Sequence, residues 1–180
     1  MLRSIGHHLV AEGHEITVLT AQPAMNTWTA QKRMPWREKL DGLLVLRCRL
    51  LPIGFDARLT MRTLNMFIFI FAVIRHIVFR PRLDSYDVIL VSTMPPVLLA
   101  ATVRLVASLT GASFLYHMMD IYPEAAVIND RIREGLLAHW LRKRDRKTCS
   151  NAIRVVALSD DMRDTLAERG SSISNVRIIN

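Results

Sequence analysis

The sequence predicts an α/β protein whose mainly parallel sheet is covered by helices on both faces. Three observations carry this. Short apolar runs alternate with helix-length segments from Ile16 to Ile179. The runs VILV (88–91) and FLY (114–116) are apolar throughout rather than alternating, as strands buried on both faces are. Each is followed at once by a polar or proline-containing turn, which is how a strand ending in a site reads.

In chain order, Leu2, Ile5, Leu9 and Val10 fall at i, i+3, i+7 and i+8, so the chain opens in an amphipathic helix that Gly13 stops. Ile16 to Thr20 is a short strand. Ala21 to Asp41, with Pro23 and Pro35, is expected to be a long loop, and Leu43 to Cys48 a second strand. From Leu59 to Phe79 the composition turns apolar, with no charge between Thr63 and Ile74. That uncharged run makes about 18 Å of helix, short of the roughly 30 Å hydrocarbon core, so it is not expected to span a bilayer. Arg58, Arg62, Arg75, His76, Arg80 and Arg82 flank it without an acid. This is the pattern of a helix lying in an anionic membrane interface, with Phe67, Phe69 and Phe71 toward the lipid and Arg62, Arg75 and Arg80 at the headgroups. A core helix packed on the sheet is the competing reading.

Val88 to Val91 forms the next strand, and Ser92-Thr93-Met94-Pro95-Pro96 its turn. A helix from Val97 to about Thr110 follows, stopped by Gly111. The strand through Tyr116 runs directly into His117, Asp120, Tyr122, Pro123 and Glu124. Proline followed by an acid suits a helix start. One long basic helix is then expected to reach about Cys149, its Arg142, Lys143, Arg144, Arg146 and Lys147 forming either a solvated face or a phosphate site. Ile153 to Leu158 is a strand, Ser159-Asp160-Asp161 a helix cap, Met162 to Glu168 a helix ended by Gly170, and Val176 to Ile179 the last strand.

The 180 residues suffice for one domain with a full core, and the net charge of +8 points to an anionic partner. Cys48 and Cys149 are far apart and outside any ligand spacing, which suggests neither a disulfide framework nor a metal site. The basic residues lack the interleaved aromatics of a nucleic-acid binder. The first residues lack the apolar core of a signal peptide, so a cytoplasmic location is expected. GxGxxG, GxxxxGK[ST] and GxSxG motifs are absent, which removes the usual nucleotide, P-loop and hydrolase signatures.

Asp120 and His117 stand where open α/β sheets bind ligands, outside a strand's carboxyl end. Asp120 reads either as a site carboxylate or as a helix cap, and His117 either as a site residue or as a satisfied core histidine.

Taken together, HLVAEGHEITVLTA, YDVILVSTMPP, FLYHMMDIYPE and VALSDDMRDTLAERG followed by NVRIIN resemble the amino-terminal half of a GT-B glycosyltransferase of family 4. DIYPE resembles the branch that builds bacterial surface polysaccharides on lipid-pyrophosphate carriers. The resemblance implies a Rossmann-like, acceptor-side domain covering residues 1–180, with the first strand missing and the donor-binding domain, including its E-x7-E pair, absent. It implies transfer of a sugar, with retention, from a nucleotide-sugar to a lipid-linked saccharide at the inner face of the cytoplasmic membrane. No cofactor is implied, since the nucleotide-sugar is a substrate, and no metal. Asp120 and His117 would then be the catalytic-side residues, with Ser92, Thr93, Pro95, Glu124 and Ser159 binding substrate. A non-catalytic fragment or interaction module of the same fold is the alternative. A sheet lacking its first strand would present two unpaired strand edges.

Overall fold

In a computed structural model, residues 2–22, 34–51, 59–79, 86–93 and 96–179 are described. Pro95 and Arg80, and with them Arg58 and Arg82, lie outside these residues. The chain folds as two compact units, Met1–Val73 and Ile74–Asn180.

The first unit opens with helix α1 (Leu2–Ala11), which closes through Gly13 at φ 90°, where His14 N–H donates to the Leu9 carbonyl. Strands β1 (Thr17–Ala21), β2 (Arg37–Leu40) and β3 (Leu43–Cys48) form a sheet of order β1-β3-β2, parallel between β1 and β3 and antiparallel between β2 and β3. β2 corrects the expected loop of residues 21–41. Asp41-Gly42 forms its two-residue hairpin turn with both residues at positive φ, the conformation that Asp-Gly favours. REKL escapes a pattern search because it is polar and mostly exposed, with no buried face to alternate. The turn is also a packing point, since a Cβ on Gly42 would stand 2.6 Å from Val10 Cγ1.

Helix α2 (Leu59–Val78) crosses the boundary between the units and has 20 residues. It is therefore longer than its uncharged run suggested, and by length and composition it could cross a membrane. Asn65, Ile70, Val73 and Ile77 are buried along it, while Leu64, Phe67, Phe71 and Val78 are exposed. These two sets repeat at helical spacing, so α2 has one protein-facing stripe and one solvent-facing apolar stripe. Phe69 is only partly exposed. Asn65 fixes the helix to the preceding segment by accepting from Leu51 N–H at 2.8 Å and donating to Leu51 O at 2.9 Å.

The second unit alternates strand and helix in the order β4 (Val88–Ser92), α3 (Leu98–Thr110), β5 (Ser113–His117), α4 (Glu124–Ile128), α5 (Leu136–Asn151), β6 (Arg154–Ala157), α6 (Asp160–Glu168) and β7 (Val176–Ile178). Its four strands are all parallel in the order β4-β5-β6-β7. Among the described residues, β1 and β4 are each paired on one side only. The expected α/β, mainly parallel architecture is what the molecule has.

Gly111 ends α3 in the left-handed conformation, its N–H bonded to Ala107 O. The single basic helix expected after Glu124 is instead two. Asp130 takes φ 52°, and Arg131 N–H turns back to Ala126 O, so the Asn129-Asp130 pair breaks the helix before α5 begins. The core is built from Val103, Phe114, Tyr116, Met118, Val155 and Leu166, all 4% exposed or less.

Candidate functional site

β5 is an inner strand, and its register sets the site. Ser92 at the end of β4 pairs with His117 at the end of β5, and His117 pairs with Val156 of β6. Three carboxyl ends therefore lie side by side, the place where parallel sheets present ligands to helix starts and polar turns.

His117 is 1% exposed, yet neither ring nitrogen has a hydrogen-bond partner among the described residues. A satisfied core histidine would have one, and an unpaired buried polar group costs about 1–3 kcal/mol. Burial lowers its pKa from the ordinary 6.5, which keeps the imidazole neutral at pH 7. A neutral ring offers one donor and one acceptor to a ligand hydroxyl.

Asp120 follows three residues later and is exposed. It makes no hydrogen bond or ion pair among the described residues, and it does not cap α4. Pro123 occupies that cap, after a cis Tyr122–Pro123 peptide, with no side-chain bond. Without a partner among the described residues, such a carboxylate can accept a hydrogen bond or a proton from a ligand hydroxyl.

Of the other expected site residues, Thr93, Ser159 and Glu124 have side-chain partners within the chain. Thr93 is 1% exposed, and its Oγ1 accepts from Met119 N–H at 3.2 Å, tying the turn after β4 to the turn after β5. Ser92 is partly exposed at its strand end. Ser159 is the N-cap of α6, with Oγ accepting from Met162 N–H at 3.3 Å. Glu124 was expected to face substrate. Instead its Oε1 accepts from Arg142 Nε at 2.9 Å and Arg169 Nε at 2.7 Å, while Arg169 Nη2 lies against Oε2. Two guanidinium groups compete with any ligand for this carboxylate.

That contact opens onto a network the sequence reading missed. Arg169 also donates from Nη1 to Asp145 Oδ2 at 2.9 Å and from Nη2 to Tyr122 O at 3.0 Å. Asp145, 1% exposed, accepts from the Tyr116 hydroxyl at 2.9 Å. Burial pushes Asp145 up to about 7, partly offset by the Tyr116 hydrogen bond, and brings Arg169 down to about 10. Arg142 is shared with Glu134, whose pKa is lowered by that hydrogen bond. The network anchors the turn carrying Asp120 to α5 and to the end of α6. Among the described residues no three His, Cys, Asp or Glu side chains group so as to hold a metal ion.

Compared with known proteins, residues 1–180 match the family described as glycosyl transferase 4-like domain. Nothing among the curated proteins matches the chain. Among solved structures, Arabidopsis thaliana UGT89C1 complexed with quercetin superposes with a TM-score of 0.56 at 14% identity, over 97% of this chain and 45% of that one. Anabaena Alr3699/HepE in complex with UDP superposes with a TM-score of 0.50 at 11% identity, over 92% of this chain and 43% of that one. At such identities the likeness is one of fold, and the chain spans less than half the length of either protein.

Proposed function

From the premise that this chain belongs to the glycosyl transferase 4-like domain family, we propose that it is the acceptor-side domain of an enzyme that transfers a sugar from a nucleotide-sugar to a lipid-linked saccharide. The reaction proceeds with retention and serves bacterial surface-polysaccharide synthesis at the cytoplasmic face of the membrane. The observation that carries the site is His117, a buried, neutral imidazole at the end of an inner strand with both nitrogens unpaired among the described residues. A hydroxyl-rich ligand supplies the missing partners. Asp120 positions the acceptor hydroxyl and receives its proton. Ser92 flanks His117, whereas Thr93, Ser159 and Glu124 act by holding the turns around it. A nucleoside-diphosphate sugar as donor is supported by the UDP in the Anabaena protein, and a hydroxylated acceptor by the quercetin in the plant protein.

The exposed stripe Leu64, Phe67, Phe71 and Val78 of α2, with Arg62 and Arg75 near its ends, lies in the membrane interface. The helix lies on the bilayer rather than crossing it, because its opposite stripe is buried and Asn65 is fixed to Leu51. A lipid-linked acceptor gives such a helix its purpose, since docking holds the domain at the membrane that carries the acceptor.

Nuclear magnetic resonance of the 180-residue chain tests this reading. A short-chain prenyl-pyrophosphate saccharide is expected to shift the His117 ring resonances and the amide of Asp120, with weaker binding in Asp120→Asn. Binding that leaves His117 unmoved would overturn the site and favour a non-catalytic interaction module.

A further inference from the structure

A groove runs along α5 beside the turn that follows α6. One part, of about 330 Å³, is lined by His139, Arg142, Lys143, Arg146 and Arg169. The adjoining part, of about 270 Å³, shares Lys143 and Arg146 and adds Lys147. Among the described residues no carboxylate lines either part. Arg142 and Arg169 are matched by Glu124, Glu134 and Asp145, but Lys143, Arg146 and Lys147 have no acidic partner among the described residues. Three clustered cations without counter-charges attract an anion.

The same helix carries an apolar half. Leu136 is 92% exposed, Leu137 57% and Trp140 41%. Leu136, Trp140, Lys143 and Lys147 recur at i, i+4, i+7 and i+11, so they form one outer stripe, opposite the buried Ala138, Asp145 and Cys149. The Arg144 guanidinium lies 5.1 Å from the Trp140 ring centroid, a cation–π contact. A solvated basic helix has no use for a leucine pair and a tryptophan on its outer face. Apolar groups and tryptophan beside unmatched cations are the composition of a helix that sits at lipid headgroups.

We propose that the outer face of α5 docks on an anionic phospholipid bilayer. Headgroup phosphates enter the groove at Lys143, Arg146 and Lys147, and Leu136, Leu137 and Trp140 reach the acyl boundary. This surface lies outside the strand-end site and does not depend on the membrane reading of α2.

Trp140 makes the contact observable. With Trp28→Phe and Trp36→Phe it is the only tryptophan of the chain, which has three. Phosphatidylglycerol vesicles with brominated acyl chains are expected to quench its emission, and equally brominated phosphatidylcholine vesicles to leave it bright. Each basic residue near an anionic surface contributes about fivefold in affinity, so Lys143→Gln/Arg146→Gln/Lys147→Gln should raise the lipid concentration for half-quenching roughly 100-fold. Circular dichroism checks the fold of each variant. If the triple variant fails that check, Lys147→Gln alone is expected to give the fivefold step. Co-sedimentation without Trp140 quenching would place the bilayer contact elsewhere and overturn the proposal. So would equal quenching by both lipids, or folded variants that bind like the parent.

Discussion

Arg169→Met removes one side chain from the centre of the buried network, and its cost follows from the partners left behind. Arg169 is 6% exposed as a side chain and donates to Glu124, Asp145 and Tyr122. Glu124 keeps Arg142, and the Tyr122 carbonyl loses one bond. Asp145 keeps only the Tyr116 hydroxyl, so Oδ2 becomes a buried oxygen without a partner. The lost hydrogen bonds cost about 1–2 kcal/mol, and at pH 8, one unit above the parent pKa of about 7, the unpaired carboxylate adds up to about 1.4 kcal/mol, so the urea midpoint should fall by roughly 1–1.7 M for a slope of about 2 kcal/mol/M. At pH 5 Asp145 is protonated in parent and variant alike, and the loss should shrink to about 1–2 kcal/mol for the remaining hydrogen bonds. The direction follows from linkage. The folded pKa of about 7 exceeds the ordinary 3.8, so the contribution of Asp145 to stability is complete at low pH and is lost as pH rises through 7. Removing the cation raises the folded pKa further and extends that loss to higher pH. Asp145→Asn keeps an acceptor for Tyr116 and should restore much of the stability at pH 8 when added to Arg169→Met. A midpoint change under 0.5 M at pH 8, about a third to a half of the expected fall, or equal losses at the two pH values, would refute the buried ion-pair reasoning.

Other perturbations address the site and α2. Asp120→Asn should lower sugar transfer about 100-fold to 10,000-fold in an enzyme containing this domain, with an unchanged melting temperature because the carboxylate caps no helix. A lowered melting temperature with normal transfer would assign it a structural role. His117 has a folded pKa below the ordinary 6.5, so its neutral burial costs stability as pH falls below that value. His117→Phe should flatten that acid-side loss in urea titrations between pH 7.5 and pH 5, and an unchanged slope would count against a neutral imidazole. Changing Arg58, Arg62, Arg75, Arg80 and Arg82 to glutamine should weaken co-sedimentation with anionic vesicles by about fivefold per residue and make it less sensitive to salt. Binding that is equal for neutral and anionic vesicles would remove the electrostatic part.

Local signals are legible in one dimension because their partners are near in sequence. The alternation of apolar runs and helices, the Gly111 stop, the Ser159 cap and the placement of His117 and Asp120 after a buried strand depend on neighbours within a few residues. Those determined the fold class and the strand end to inspect. Whether Asp120 is a cap and His117 a satisfied core residue stayed open until their surroundings were known, since each choice depends on which atoms from other elements come near. β2 was hidden because a polar, exposed strand has no buried face to generate a period, although Asp41-Gly42 marked its turn. The role of Glu124 was decided only by folding. Its Arg169 partner lies 45 residues away, and the Asp145 that shares this arginine meets Tyr116 across 29. The same holds for the basic run of α5, whose five basic residues look alike in sequence. Packing buries Asp145, gives Arg142 two carboxylates and leaves Lys143, Arg146 and Lys147 without any among the described residues, because a helix puts one side against the core and the other toward solvent.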